Sequence, residues 1–449
     1  MSTRAEFDAY VAEHGAPERI ELLLCDLNAV LRGKWLPGDA IDKLDKGAVR
    51  LPMSTYAPSI MGYELGGTGF GIAVGDPDGV LVPISGTLKP APWASAPAAQ
   101  MLVDMCDVDG TICALSARNI LKTVLDRFAA KGLRPVVASE LEFYVLQVRE
   151  SADEAPRPPS RTPDAQNYAA DSLFRHEPLV LEILDAAKRQ GLPTDTLVAE
   201  YGQGQFEINF KHSDDVMGAA DATVLFRHLV RSVVSRFDYE ATFMAKPYAD
   251  QPGNGMHLHV SLLDASGRNV FTPSAGEEIA APLRHAVAGL LDTVEALQAV
   301  FAPHMNSFRR FQPKSFAPST PTWGLDHRAA GVRLPEVAGP AARLEHRICG
   351  ADVNPYLAFA AILGGVLHGL EQEREPPEAA RLDGDSPEPE NRLSQDWAGA
   401  VDRLAASDVA ADILGPAYRD VYVAVRRGEI GALSQEISPV EYRYYLSAL

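Results

Sequence analysis

The sequence predicts an α+β protein of two domains. Three observations carry that reading. At 449 residues the chain is roughly two to three times the size of a typical domain. Strand-like runs outnumber what alternating βαβ units would supply, and no GxGxxG follows a strand, which sets a doubly wound nucleotide fold aside. Hydrophobic residues make up 46% and charged residues 22%, enough apolar content for sizeable cores. That composition excludes wholesale disorder, a collagen-like repeat and a small disulfide-stapled scaffold.

The elements follow in order. Residues 19–34 (RIELLLCDLNAVLRGK) read as a strand, a turn at Asp26-Leu27-Asn28 and a second short strand. A strand-turn-strand signal recurs at 79–92, and the Pro/Ala/Ser-rich WASAPAA (93–99) after it marks the expected domain break. MLVDMCDV is the next strand, a helical pattern covers Ser116 to Ala130, and 135–148 (PVVASELEFYVLQV) is a strand carrying two carboxylates. The polar, proline-rich 150–166 is an exposed loop. A helix over 177–190 leads to strands 195–200 and 205–210, joined at Gly202-Gln203-Gly204. Residues 214–236 carry a helical period. A strand pair, 241–247 and 256–263, is joined by ADQPGNG. Ala358 to Leu370 is the longest apolar stretch, too short to cross a bilayer, and reads as a buried core helix. Another exposed loop spans 371–392, and helices end the chain.

The net charge of −19 argues against non-specific nucleic-acid binding, which needs a basic face. Cys25, Cys106, Cys113 and Cys349 show no CxxC spacing, so they are expected to be reduced packing residues. The opening MSTRAEFDAY has charges where a signal peptide needs an apolar run, so a cytoplasmic location is expected.

The chemistry lies in acids on strands. Glu140 and Glu142 stand two apart in ASELEFYV, and residues two apart project from one face of a strand. Glu200 and Glu207 flank a glycine-containing turn; His257 and His259, then Glu345 and Arg347, repeat the two-residue spacing. Buried acids need positive partners, and such an oxygen-rich set suits Mg²⁺ or Mn²⁺ better than zinc. Arginines at 309, 310, 328, 333 and 343 add guanidinium forks that fit phosphate and carboxylate oxygens. Divalent ions with several arginines are the usual equipment for phosphoryl transfer.

The order SELEF, EYGQGQFE, KPYADQPGNGMHLH, NSFRRF, DHRAAGVRLP and RLEHRICGADVNPYLA resembles the glutamine synthetase family over essentially the whole chain. The resemblance implies a small N-terminal β-grasp-like domain (1–108) and a catalytic domain (109–449) with a curved antiparallel sheet flanked by helices. It implies active sites shared between neighbouring subunits in stacked rings, commonly dodecamers. By position, Glu142, Glu200 and Glu207 resemble the ligands of one metal ion, and Glu140, His257 and Glu345 those of a second. His259, Ser261, Arg333 and Arg343 resemble nucleotide-side residues, and Gly253, Asn254 and Gly255 a loop that contacts substrate glutamate. Arg310 would hold the glutamate α-carboxylate, while Arg328, Arg333, Arg343 and Arg347 would serve the transferring phosphate of ATP. The activity implied is amide formation on glutamate through a γ-glutamyl phosphate.

Two departures bear on the nucleophile. Ammonia-using members hold ammonium with acidic side chains on a flap and on the neighbour's small domain. Here Phe316 occupies the flap position and Leu51-Pro52-Met53 the other. Binding a small cation without anionic partners is very unfavourable, so Phe316 and Met53 are expected to line a pocket for an alkyl chain. Pro252, where an asparagine usually opens the glutamate loop, resembles the branch making γ-glutamyl amides of polyamines and other alkylamines. The expected activity is therefore a glutamate–amine ligase; the alternatives are an ammonia-using glutamine synthetase and a non-catalytic structural or regulatory relative. The tyrosine adenylylated in some relatives is missing, as no tyrosine lies between Tyr356 and Tyr418.

Overall fold

In the computed structural model, which describes residues 2–107, 109–160, 165–312, 316–381 and 392–449, the strands divide between two sheets. β1 (Arg19–Cys25), β2 (Leu31–Pro37), β3 (Arg50–Pro52), β4 (Asp78–Pro83), β5 (Lys89–Pro90) and β6 (Ala98–Cys106) make a six-stranded sheet ordered β2-β1-β6-β4-β3, with β5 on β6. Its pairings are antiparallel except that of β1 with β6. Those two central strands are covered on both faces, which is why they read as unbroken apolar runs.

The second sheet has eight strands: β7 (Arg134–Gln147), β8 (Thr194–Ala199), β9 (Gln205–Phe210), β10 (Tyr239–Thr242), β11 (Met256–Leu263), β12 (Trp323–Leu325), β13 (Val332–Glu336) and β14 (Arg343–His346). Their order is β12-β13-β14-β11-β7-β9-β8, with β10 on β7, and only β12 with β13 is parallel. Helices flank it. Ala117–Ala130 starts where the Ser116 hydroxyl accepts from the Asn119 amide. Val216–Ser235 and Pro355–Gln372 are buried over most of their length. The second of these crosses the helix Ala281–Phe301 at glycines: a Cβ on Gly369 would lie 2.0 Å from the His285 carbonyl oxygen. Among the described residues no helix is long and apolar enough to cross a membrane.

The structure corrects two expectations. WASAPAA does not end a domain; it links β5 to β6 inside the first sheet, because Gln100 and Ala99 on β6 pair back onto Lys89 and Pro90. The strands expected at 241–247 and 256–263 do not form a hairpin, since both pair with β7, and the first ends at Thr242. Beyond Thr242 the chain carries Pro247 and Pro252, which cannot donate to a ladder, and its polar groups go to asparagines instead. The Lys246 amide donates to Asn306 Oδ1 (2.8 Å), and Asn254 Nδ2 donates to the Met244 carbonyl oxygen (2.9 Å). Of the loop expected at 371–392, residues 373–381 are irregular and 382–391 lie outside the described residues, as do 161–164 of the earlier loop.

The β1–β2 turn seats the first sheet on the second half of the chain. Asp26 accepts from the amides of Asn28 and Val30 (both 2.8 Å), holding Ala29 in a left-handed conformation (φ 56°). Asn28 Oδ1 then accepts from Arg426 Nη2 (2.6 Å) on the helix Pro416–Leu433, and the same guanidinium pairs with Glu429 (2.6 Å). The other Glu429 oxygen takes the Ile60 amide (2.6 Å). Both charges are completely buried. Removing one partner of such a pair strands the other charge. Arg426→Ala is therefore expected to lower unfolding free energy by about 3–5 kcal/mol in urea titrations; a loss under about 1 kcal/mol contradicts this account of the junction.

Candidate active site

Strand periodicity does the positioning. On β7, Glu140 faces His257 on β11 and Asn209 on β9, and Glu142 faces Glu207 on β9. His259 faces Glu345 on β14, which faces Arg333 on β13. Directly opposed residues share a face, so one side of the large sheet carries acids, imidazoles and a guanidinium together. Glu200 follows the end of β8, and Arg347 follows β14. With Arg310, Arg328 and Phe316, the upper members of this set line a cavity of about 910 Å³.

The contacts split the acids into two kinds. Glu140 bridges the imidazoles, its Oε2 at 2.9 Å from His257 Nδ1 and its Oε1 at 3.0 Å from His259 Nε2. Arg343 Nε donates to His259 Nδ1 (3.4 Å), which leaves Nε2 to donate to Glu140. Glu345 is fully buried between Arg333 Nη1 (2.8 Å) and Arg347 Nη1. Burial works against ionisation of Glu140 and Glu345, but the two histidines, with Arg347 at Glu345, outweigh it and hold both below the ordinary carboxylate range.

Glu142, Glu200 and Glu207 are different. Burial, with the neighbouring Glu200 charge, pushes Glu142 up to about 8. Burial and the other acids raise Glu207 well above its ordinary value, and burial raises Glu200. Three enclosed carboxylates with too little positive charge form a donor set fitted to a hard divalent cation. Ligand atoms of Glu140, Glu207 and His257 come within 4.8 Å of one another, as do those of Glu140, His259 and Glu345. His259, expected on the nucleotide side alone, thus also stands within reach of an ion.

Glycine is required at two points. A Cβ on Gly253 would lie 2.6 Å from the Ala245 carbonyl oxygen and 2.8 Å from Arg310 Cγ, so the buried arginine passes directly beneath the loop. A Cβ on Gly255 would come within 3.1 Å of both Arg310 Nη2 and His257 Nε2. The Gly255 amide donates to Glu142 Oε2 (2.7 Å).

Not every expected residue joins the cavity. Met53 is buried in the core of the first sheet, where Gly79 lets it sit beside Met105, and within one chain it does not line this cavity. Asn254 is also fully buried, and its side chain is taken up by loop carbonyls and by Gln205. Ser261 is half-buried further along β11. Phe316 does reach the mouth, its ring packed on Tyr201 with centroids 4.9 Å apart.

Gln205, Asn209, Tyr168 and Tyr201 were not expected. Gln205 Nε2 donates to the Gly253 carbonyl oxygen (3.0 Å) and reaches Glu142 Oε2 (3.3 Å), while Asn209 Nδ2 donates to Glu207 Oε1 (3.0 Å). Both stand two residues from Glu207, so the spacing that flagged the acids also marks them.

Comparison with known proteins agrees with this geometry. Residues 114–445 match the glutamine synthetase catalytic domain. The chain is 35% identical over 448 residues to gamma-glutamylputrescine synthetase PuuA of Escherichia coli (strain K12), covering 98% of this chain and 94% of that one. It is 28% identical over 451 residues to a glutamate–isopropylamine ligase of Pseudomonas sp, covering 98% and 97%. The solved structure of a GmaS/ADP complex superposes with a TM-score of 0.85 at 26% identity, over 98% of this chain and 99% of that one. A bowl of acids, imidazoles and arginines on an antiparallel sheet, and a domain match across most of the chain, lead to one conclusion: the protein belongs to the glutamine synthetase family.

Proposed function

We propose that the protein is an ATP-dependent ligase joining the γ-carboxylate of glutamate to an organic amine, a polyamine or alkylamine, through a γ-glutamyl phosphate. One observation carries the reading: the cavity whose floor holds the acids and arginines is bounded at its mouth by Phe316 packed on Tyr201. Two relatives of similar length act, by name, on putrescine and on isopropylamine. The 35% match to a putrescine-using relative favours an organic amine over an ammonia-using or non-catalytic role.

Glu142, Glu200 and Glu207 would hold one Mg²⁺ or Mn²⁺, and Glu140, His257 and Glu345 a second. When bound, such ions screen the charge of the polyphosphate and the attacking carboxylate. Arg310 holds the glutamate α-carboxylate under the Gly253 loop. His259, Ser261 and Arg343 take the nucleotide side. Arg328, Arg333 and Arg347 face the transferring phosphoryl group, where fixed guanidinium charge is worth most. A carboxylate is a poor electrophile because its leaving group would be oxide. Once the γ-carboxylate oxygen displaces ADP from the γ-phosphorus, the carbonyl carbon carries phosphate as a leaving group. Once its ammonium form has given a proton to solvent, the free amine nitrogen attacks that carbon; the C–O bond breaks, phosphate departs with the electron pair, and the second nitrogen proton passes to that phosphate. The aromatic mouth keeps water from the acyl phosphate.

A division at 1–108 and 109–449 is supported by the first sheet using only residues 19–106 and the family match starting at 114. The exposed rim at Tyr168 and Phe316 suits a site finished by a neighbouring subunit, as in a dodecamer. The cytoplasm, where ATP and glutamate meet, is the expected location.

Phosphate release measured side by side with putrescine, isopropylamine, ethanolamine and ammonium is expected to give at least about tenfold higher kcat/KM for an organic amine than for ammonium. A clear advantage for ammonium sinks the choice of nucleophile, and no ATP cleavage with any amine sinks the ligase. A second expectation concerns the uncompensated acids. An unfolded chain loses the Glu142 proton near 4.5, whereas the metal-free folded protein keeps it to about 8, so folded-state stability is lost as pH rises through that window. The metal-free protein should melt lower at about pH 8.5 than at about pH 6.5, with Mg²⁺ or Glu142→Gln flattening the slope. Equal slopes for all three samples would contradict it.

A further inference from the structure

Tyr168 (φ 64°) and Phe316 (φ 61°) are the aromatic residues with left-handed backbone among the described residues, and both line the one cavity already described. Asn167, beside Tyr168, is left-handed too (φ 46°) and also lines it. For side chains of this size that conformation is strained. Both rings are nevertheless more than half exposed, Tyr168 at 53% and Phe316 at 66%. Within one chain, backbone strain that leads to exposed apolar surface works against folding twice, so the stability of the chain alone does not explain it.

What the strain achieves is placement. Phe316 lies on Tyr201 with ring planes 42° apart, and Tyr201 follows directly on Glu200. The Gln166 amide donates to the Tyr201 carbonyl oxygen (2.8 Å), which brings the Asn167–Tyr168 segment beside it. Three rings from three separate segments therefore rim a cavity whose inner wall carries Glu200 and Glu207. Aromatic faces attract organic cations: the rings meet positive charge and cover methylenes at once. A bare ammonium offers no carbon for them to cover.

We propose that Tyr168, Tyr201 and Phe316 form an aromatic collar that receives the amine substrate as its alkylammonium ion and so selects carbon-bearing amines over ammonium. The inference rests on the ligase reading above and adds the residues that choose the nucleophile. The collar stands away from the nucleotide-side residues. Along β7, His259 pairs with Ala138 and Ser261 with Val136, whereas Glu200 and Tyr201 adjoin Gln205, which pairs with Tyr144, six to eight residues and roughly 20 Å or more further along the strand.

Tetramethylammonium provides the test, because it carries charge and carbon but cannot be acylated. It is expected to inhibit phosphate release competitively against isopropylamine or putrescine. Its inhibition constant and the amine KM should rise about tenfold in Phe316→Ala and Tyr201→Leu, and stay near wild type in Tyr201→Phe. The KM values for ATP and glutamate should stay within about twofold in all three. Inhibition no stronger than that of sodium chloride at matched ionic strength, or an effect on the KM for ATP in place of that for the amine, would overturn the collar. Wild-type enzyme that turns over only ammonium would instead remove the reading on which it rests. The variants alter the exposed Phe316 ring and the half-buried Tyr201 ring, and melting temperatures check that they fold.

Discussion

The constraint on which the structure depends is electrostatic: several carboxylates are enclosed in one bowl, and each must be neutralised or protonated. Two find their partners from within. Glu345 sits between two guanidinium groups, and Glu140 between two imidazoles. The remaining three, Glu142, Glu200 and Glu207, face one another across β7, β9 and the end of β8 with too little compensation. Such an arrangement works against the chain's own stability and suits an external cation. The fold and the function therefore meet at the same atoms.

This constraint also explains why the site was largely legible in the sequence. Acids and histidines two apart in apolar strands are conspicuous, because a pleated strand has a period of two and gives no reason to spend charge on its buried face. Glu140, Glu142, His257 and His259 announced themselves in this way, and β9 ran over the residues its pattern indicated, 205–210. Where strand periodicity ceased, so did legibility. Residues 243–255 looked like the rest of a hairpin but are shaped by Asn254 and Asn306 bonding to carbonyls and amides far along the chain. Met53 drew attention because Leu51-Pro52-Met53 stands where relatives carry an acid; that its neighbours within the chain are Gly79 and Met105 is set by a sheet that local sequence does not disclose. The helix Thr3–His14 gave little pattern at all, with Phe7 and Tyr10 its only large buried residues.

The first sheet contributes no side chain to the cavity lining within a single chain, yet it is held to the catalytic half by buried polar contacts. The Asn28 carboxamide meets Arg426, and Asn354, the cap of a buried helix, donates to the Asp26 carbonyl oxygen (2.9 Å). Hydrogen-bonded charges fix orientation more strictly than apolar packing, because their bonds are directional. A small domain whose attitude matters to a neighbouring site would be attached in just this manner.

β7 has a further implication. This single strand of 14 residues borders β11 and β10 along one edge and β9 along the other. It thereby acts as the ruler against which Glu207 on β9 and the histidines of β11 are placed. A slip of one residue anywhere along it would turn Glu140 and Glu142 toward the helices and bring apolar Leu141 into the bowl. The error would be self-reporting, since charges driven into the core would prevent the sheet from closing. Substitutions at the rim leave this sheet intact, but a single insertion in its central strand would erase catalysis and architecture together.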